Sequence, residues 1–365
     1  MREKGCNREE LFSFLTRLRG EDLGYGRILS SMCTRPHPVA LEAEALFAGT
    51  NLGDPGLFPG TASIERLLVE RLGDLLHHRR ASGYATSGGT ESNIQVLRMA
   101  RGLAGAKHPN VVVPESAHFS FEKACDILSL EIRPVPLDGN LRMDVEKAED
   151  LIDRNTVCLV GIAGTTEYGM VDPIEALSDI AVDRGVFLHV DAAFGGLVIP
   201  FLGRPLSFDF SLPGVSSVSV DPHKMGMSPI PAGALLVRDE HMLAPLLVAT
   251  PYLTVKNVYT LAGTRPGGPV AGAFAVLEYL GREGMAAIVK GCMENTARLI
   301  EGLETFGIPR AVTPDVNVAT FDCGEVPEGW LVSRTRRGHL RIVCMPHVSR
   351  DQVEAFIEAM GGLHG

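Results

Sequence analysis

Short apolar runs recur between residues 81 and 237, with stretches of three-to-four-residue apolar period between them. Val111–Pro114, Val157–Ala163 and Val186–Val190 read as fully buried strands, and Ser217–Val220 alternates apolar with polar in strand fashion. Helical spacing puts Leu11, Phe12, Leu15 and Leu18 on one face of Glu9–Arg19, and Ile64, Leu67, Leu68, Leu72 and Leu75 on one face of Thr61–His77. Helices are also expected over Val39–Phe47, after Gly88 (Ile94, Leu97, Met99, Leu103), and over Ile174–Arg184, Val270–Tyr279, Met285–Phe306 and Arg350–Met360. Val316–Phe321 and Leu340–Cys344 alternate as strands. Strands alternating with helices imply an α/β fold whose mostly parallel sheet is covered on both faces. The expected division is a helical segment over 1–48, serving as scaffold or as an arm on a partner subunit, a large domain over 49–260 and a small C-terminal α+β domain over 261–365.

Composition narrows the classes. The 365 residues are 45% hydrophobic and 21% charged, an ordinary globular balance. A net charge of −10 argues against a nucleic-acid or anionic-membrane partner. No apolar run reaches membrane-spanning length, and the charged N-terminus has no signal-peptide core. The 7 cysteines are odd in number and free of CxxC spacing, which fits reduced thiols in the cytoplasm and indicates no metal site.

The chemistry gathers at the ends of the strands. Ser87-Gly-Gly-Thr-Glu-Ser-Asn93 joins a strand to a helix through glycines. A helix N-terminus carries about half a positive charge, so Gly89 and Thr90 sit in an anion cradle, most simply for a phosphate. His118 follows one buried strand, Gly164-Thr-Thr166 another, and Asp191 ends a third. A buried carboxylate needs a cation or donors. Asp221-Pro-His-Lys224 closes the strand from Ser217, and a desolvated lysine there can shed its proton and form an imine. In open α/β sheets ligands collect at this edge. A phosphate cradle, an aromatic group for a ring face, an anion for a ring nitrogen and an imine-forming lysine are together what pyridoxal 5′-phosphate demands.

Ser87–Asn93, Ala117-His118, Gly164–Thr166, His189-Val-Asp-Ala-Ala-Phe-Gly-Gly196 and Asp221–Lys224, in this order and spacing, resemble the group II pyridoxal-phosphate-dependent amino-acid decarboxylases of the aspartate-aminotransferase-like fold (fold type I). Asn51–Phe58, Asp221–Gly226 and Cys344–His347 are most similar to the short archaeal branch acting on L-tyrosine and L-aspartate. The resemblance implies that Lys224 binds the cofactor covalently, with His223 helping to position it. Asp191 pairs with the ring nitrogen, Ala193 packs on the ring, and His118 stacks on its other face near the substrate carboxylate. Thr166 approaches the phenolic oxygen, while Gly89, Thr90 and Ser217 hold the phosphate. Tyr252, with Tyr259 in reserve, would protonate Cα after CO₂ leaves, and Arg341 would lie near the substrate carboxylate. Relatives often carry asparagine where this chain has Asp221, and an aspartate there would repel the phosphate unless it turned away. Gly263-Thr-Arg-Pro266 in relatives reaches the neighbouring subunit's phosphate, which implies a homodimer with shared sites.

The implied activity is α-decarboxylation of a small-molecule L-amino acid, tyrosine to tyramine or aspartate to β-alanine, precursors of methanofuran and coenzyme A. Ala262–Gly268 also resembles sphingosine-phosphate lyases, so a carbon–carbon lyase using Arg265 to bind a substrate phosphate is the alternative. A non-catalytic binding protein would have lost Lys224 or Asp191, and both are present. Arg35 or His37 would suit an acidic substrate side chain, and Met32 or Phe58 an aromatic one.

Overall fold

A computed structural model describes residues 1–364. Three helices come first: α1 (Arg8–Glu21), α2 (Pro38–Phe47) and α3 (Pro59–Leu75). Alternating units then follow: β1 (Ser82–Thr86), α4 (Gly89–Ala104), β2 (Asn110–Pro114), α5 (Ser120–Leu128), β3 (Glu131–Val135), α6 (Val145–Asp150), β4 (Thr156–Ile162), α7 (Ile174–Arg184), β5 (Leu188–Asp191), β6 (Val215–Val220) and β7 (Gly233–Val237). A two-stranded hairpin, β8 (Val248–Ala249) and β9 (Asn257–Val258), leads to the long helix α8 (Gly268–Glu304). The last part is β10 (Val318–Phe321), β11 (Ser333–Arg334), β12 (Leu340–Val343) and α9 (Arg350–His364).

The seven-stranded sheet has the order β1-β7-β6-β5-β4-β2-β3. Strands β2 to β6 pair in parallel, and β7 runs antiparallel to both β6 and β1. β1 therefore points the same way as β2 to β6. The loops after β1, β2, β4, β5 and β6 consequently meet at one edge, which is where the polar motifs lie. β2, β5 and β7 are buried along their whole length, as expected for strands with helices on both faces. Each well-buried Leu, Ile, Val or Phe in this core contributes roughly 1.5–3 kcal/mol.

The two apolar-periodic stretches from Val270 to Phe306 form two helices joined end to end, as expected, and α8 spans both. α8 bends at Gly281, where φ is 57° and ψ −166°, a backbone conformation that glycine adopts at little cost. Its first half packs on α2 and α3, and its second reaches α9. β10, β12 and β11 form a separate three-stranded antiparallel sheet. The segment between α1 and α2 is stitched to both sheets' surroundings. Leu29 N–H donates to Leu331 O and its carbonyl accepts from Val343 N–H, while His37 N–H donates to Met227 O. Residue Thr34 lies 2.9 Å from His347 through Oγ1 and Nδ1.

One buried carboxylate fastens the small sheet to the large one. Asp315 accepts from Arg142 Nη2 and Arg204 Nη2, each at 2.8 Å, and from Val171 N–H at 2.9 Å. Asp315→Ala leaves that amide and two half-exposed guanidiniums without their acceptor. The substitution should cost about 2 kcal/mol, read by urea unfolding, and Asp315→Asn should recover part of it because an amide oxygen still accepts from Val171.

Candidate active site

The edge where the parallel strands end encloses a cleft of about 390 Å³, within the roughly 300–1,000 Å³ of small-molecule sites. Lys224, His223, Asp221, Asp191, Ala193, His118, Thr166, Gly89 and Thr90 all line it. Nine groups from five separate loops converge because the strands that carry them are parallel.

The cradle is built by backbone. Gly88 has φ 145°, and a Cβ there would stand 2.9 Å from the His223 ring, so only glycine fits. No side chain caps α4 at this end. The Gly89 N–H donates instead to Asp221 Oδ2 at 3.1 Å. Asp221 does not turn away from the cradle, contrary to the condition its charge suggested. It lies 3.1 Å from Lys224 Nζ and 3.6 Å from His223 Nε2.

This contact corrects the expectation for Lys224. Burial disfavours its charge, but the carboxylates of Asp221 and Asp191 outweigh burial and hold its pKa above the ordinary lysine value. Desolvation alone does not strip its proton. At His223, Nδ1 accepts from Ala232 N–H at 3.2 Å, so the ring proton sits on Nε2 and faces Asp221. Burial lowers the pKa of His223, against the pull of Asp221. His118 is likewise lowered, chiefly by burial, and its Nδ1 accepts from Ser120 N–H at 3.2 Å.

Asp191 ends β5 with its carboxylate satisfied by neutral donors. Asn93 Nδ2 donates to Oδ2 at 2.9 Å, while Ala193 N–H and Ser219 Oγ donate to Oδ1 at 3.0 and 3.3 Å. Burial would raise its pKa, but His189, Lys224 and these donors keep it below the usual carboxylate value. Behind it runs a chain that the sequence reading did not assign. Asn93 spends both amide hydrogens, on Asp191 and on Ser120 Oγ. Its oxygen therefore accepts from His189 Nε2 at 3.2 Å, and His189 Nδ1 takes the Ser217 hydroxyl at 2.8 Å. Ser217 is thus a correction: it is buried inside β6 against His189, short of the strand end, and does not line the cleft. Asn93 and His189 lie within motifs that were visible; only their pairing across two elements was not.

Other expected residues fall outside. Tyr252 is 83% exposed in the turn between β8 and β9 and does not line the cleft of its own chain. Tyr259 packs on Tyr84 with ring centres 5.5 Å apart. Arg341, on β12, is buried beside the site. It donates to Thr166 O at 2.5 Å, Ser30 O at 2.9 Å and Ser333 Oγ at 3.0 Å, and its Nη2 has no partner. From the Ser30–Pro38 loop it is Cys33 that lines the cleft; Arg35 lies over Tyr25, and His37 caps α2. Arg265 is bound within the chain, its fork held by Glu65 and by the carbonyls of Ala85 and Leu52.

The donor set fits pyridoxal phosphate. An ionised buried carboxylate without a cation in hydrogen-bonding range can pair with a ring N–H, a glycine turn opens a helix N-terminus to a phosphate, and a lysine stands between them. A parallel α/β sheet with this edge defines a pyridoxal-phosphate enzyme of the decarboxylase and lyase class. The chain belongs to the pyridoxal-dependent decarboxylase family, whose conserved-domain model matches residues 40–307. It is 70% identical over 361 residues to a "Probable L-tyrosine/L-aspartate decarboxylase" of Methanoculleus marisnigri, covering 99% of each chain. It is 49% identical over 357 residues to a "Probable L-aspartate decarboxylase" of Archaeoglobus fulgidus, covering 95% of this chain and 97% of the relative. Among solved structures, the sphingosine-1-phosphate lyase of Burkholderia pseudomallei superposes with a TM-score of 0.92 at 29% identity, covering 100% of this chain and 92% of that one. The protein is a carboxy-lyase that decarboxylates an amino acid with pyridoxal phosphate.

Burial pushes His189 down to about 4 despite the Asp191 anion beside it. An unfolded histidine titrates near 6.5, so the native state binds fewer protons between those values. This group's contribution is complete above pH 6.5 and is lost as pH falls towards about 4, a span of ~3 kcal/mol. The stability gap between the wild type and His189→Asn should therefore be widest at pH 7 and narrow by pH 4.5, as measured by chemical unfolding at each pH.

Proposed function

We propose that the protein decarboxylates L-tyrosine and L-aspartate at the cleft around Lys224. The observation that carries the placement is the convergence of Lys224, Asp191 and the Gly88-Gly89-Thr90 turn on one cleft. The substrates follow from the names of the relatives, and the products, tyramine and β-alanine, suit coenzyme assembly in a reducing cytoplasm. All seven cysteines are free, in keeping with such a compartment.

Lys224, His223, Gly89, Thr90, Thr166, Ala193, His118 and Asp191 would hold the cofactor. When bound, pyridoxal phosphate supplies a ring that takes up the electron pair left as the bond from Cα to the carboxylate breaks. Asp191, kept ionised, would hold the proton on the ring nitrogen. Neutral His118 would cover the ring face without adding a positive charge that would favour the departing carboxylate. Arg341, whose Nη2 amino group is uncommitted, would bind the substrate carboxylate before it leaves as CO₂. Its guanidinium is lowered to about 10 by burial and stays charged at neutral pH. Cys33 walls the cleft on the substrate side. The lyase alternative needs Arg265 for a substrate phosphate, and that fork is already bound by Glu65.

A second copy of the chain completes the assembly. α1 buries none of its own residues and leaves Leu11, Phe12, Phe14, Leu15 and Leu18 exposed, an apolar stripe that a second protomer would cover. Tyr252, too far out to serve its own cleft, would give its phenolic proton to Cα in the partner's.

With pyridoxal phosphate and separate L-tyrosine, L-aspartate and L-glutamate, the wild type should release CO₂ with tyramine or β-alanine. Lys224→Ala should release neither. Amine from glutamate alone would refute the substrate assignment. Tyr252→Phe should lose amine or leak aldehyde. Mixing it with Lys224→Ala chains should then restore about a quarter of wild-type activity, since half the dimers carry one complete site. No recovery on mixing would remove Tyr252 from a shared site.

A further inference from the structure

The phosphate cradle already holds an anion, and that anion is one of the chain's own side chains. Asp221 Oδ2 takes the Gly89 N–H at 3.1 Å and stands 3.1 Å from Lys224 Nζ. The residue is 2% exposed, lines the cleft, and has its other oxygen buried without a partner. A buried carboxylate oxygen with no donor is an unusual arrangement that something normally relieves.

A phosphate seated at the start of α4 needs the same amide. Two anions within hydrogen-bonding range in a largely buried site repel, and one must leave or be neutralised. The Gly89 N–H is already given to Asp221 Oδ2, so carboxylate and phosphate compete for the same amide. Asparagine would keep the shape and the hydrogen bond while removing the charge.

We propose that Asp221 is a placeholder for the cofactor's phosphate: in the cofactor-free enzyme it occupies the Gly89 amide and pairs with Lys224, and the arriving phosphate displaces it. The idea rests on reading the Gly88–Thr90 turn as the cofactor's phosphate site. Displacement has a second effect. It breaks the contact between Asp221 and Lys224 Nζ, so the ammonium can pass its proton to solvent water in the cleft and the free amine can condense with the cofactor's aldehyde, releasing one water. A free aldehyde metabolite without a phosphate leaves Asp221 in place and meets an ammonium. Asp221 is thus a positioning residue that makes loading selective for a phosphorylated aldehyde.

The test uses the full chain stripped of cofactor, as wild type, Asp221→Asn and Asp221→Ser, with folding checked by thermal unfolding. Inorganic phosphate is titrated in by calorimetry. The variants should bind it at least about tenfold tighter than the wild type, a modest return for removing one like charge at contact distance. Unphosphorylated pyridoxal should form the lysine-bound absorbance band faster with the variants than with the wild type, whereas the difference should shrink for pyridoxal phosphate. Serine keeps the test open if the asparagine variant does not fold. Equal or weaker phosphate binding in the variants would overturn the placeholder. A wild type that forms no lysine-bound band with pyridoxal phosphate would instead overturn the cofactor-site reading beneath it.

Discussion

A carboxylate at the end of a buried strand has to be kept ionised without being neutralised by the protein. Asp191 meets that constraint with hydrogen bonds only from Asn93, Ala193 and Ser219, which are donors and not cations, while His189 and Lys224 help hold its charge without bonding to it. The anion is thereby left available to a charged ring N–H. The cost is a supporting chain that must itself be satisfied. Asn93 is oriented by Ser120 and His189, and His189 by Ser217, so α4, α5, β5 and β6 are all locked around one group. Half-satisfied polar networks are expensive in a dry interior. This one closes.

The cleft's charges divide by depth and by lobe. The cofactor groups all come from the ends of strands in the large sheet, whereas Arg341 stands on the small sheet and reaches across to the Thr166 carbonyl. The groups at the strand ends and the buried arginine thus stand on different layers of the fold.

Much of this was legible before the fold was known, because a parallel sheet turns linear order into a shared edge. Apolar runs ending in Gly88, His118, Thr166, Asp191 and Lys224 could only converge once they were read as strands pointing one way. What escaped depended on where a residue falls within its strand or loop, which spacing does not give. Ser217 lies three residues inside β6 and so meets His189 rather than a ligand. Asp221 is drawn inward by a lysine one helical turn on, a pull stronger than the repulsion expected of a group that has yet to arrive. In the Ser30–Pro38 loop, Arg35 and His37 face other partners and the small thiol of Cys33 faces the cleft. The reversed strand β7 gave no signal, since a fully buried strand has the same apolar pattern in either direction.

The strap from Ile28 to His37 has a bearing on how the protein is made. Its hydrogen bonds reach Leu331, Val343 and His347 in one direction and Met227 in the other. These partners are more than 180 positions later in the chain, and most are more than 300. On a ribosome that builds from the N-terminus, the strap and the cleft wall it carries lack most of their partners until the last strand has emerged. Strands β2 to β7 of the large sheet, whose paired strands are near neighbours in sequence, can assemble first. The cleft wall that Cys33 supplies is then the last piece set in place, although it was among the first synthesised.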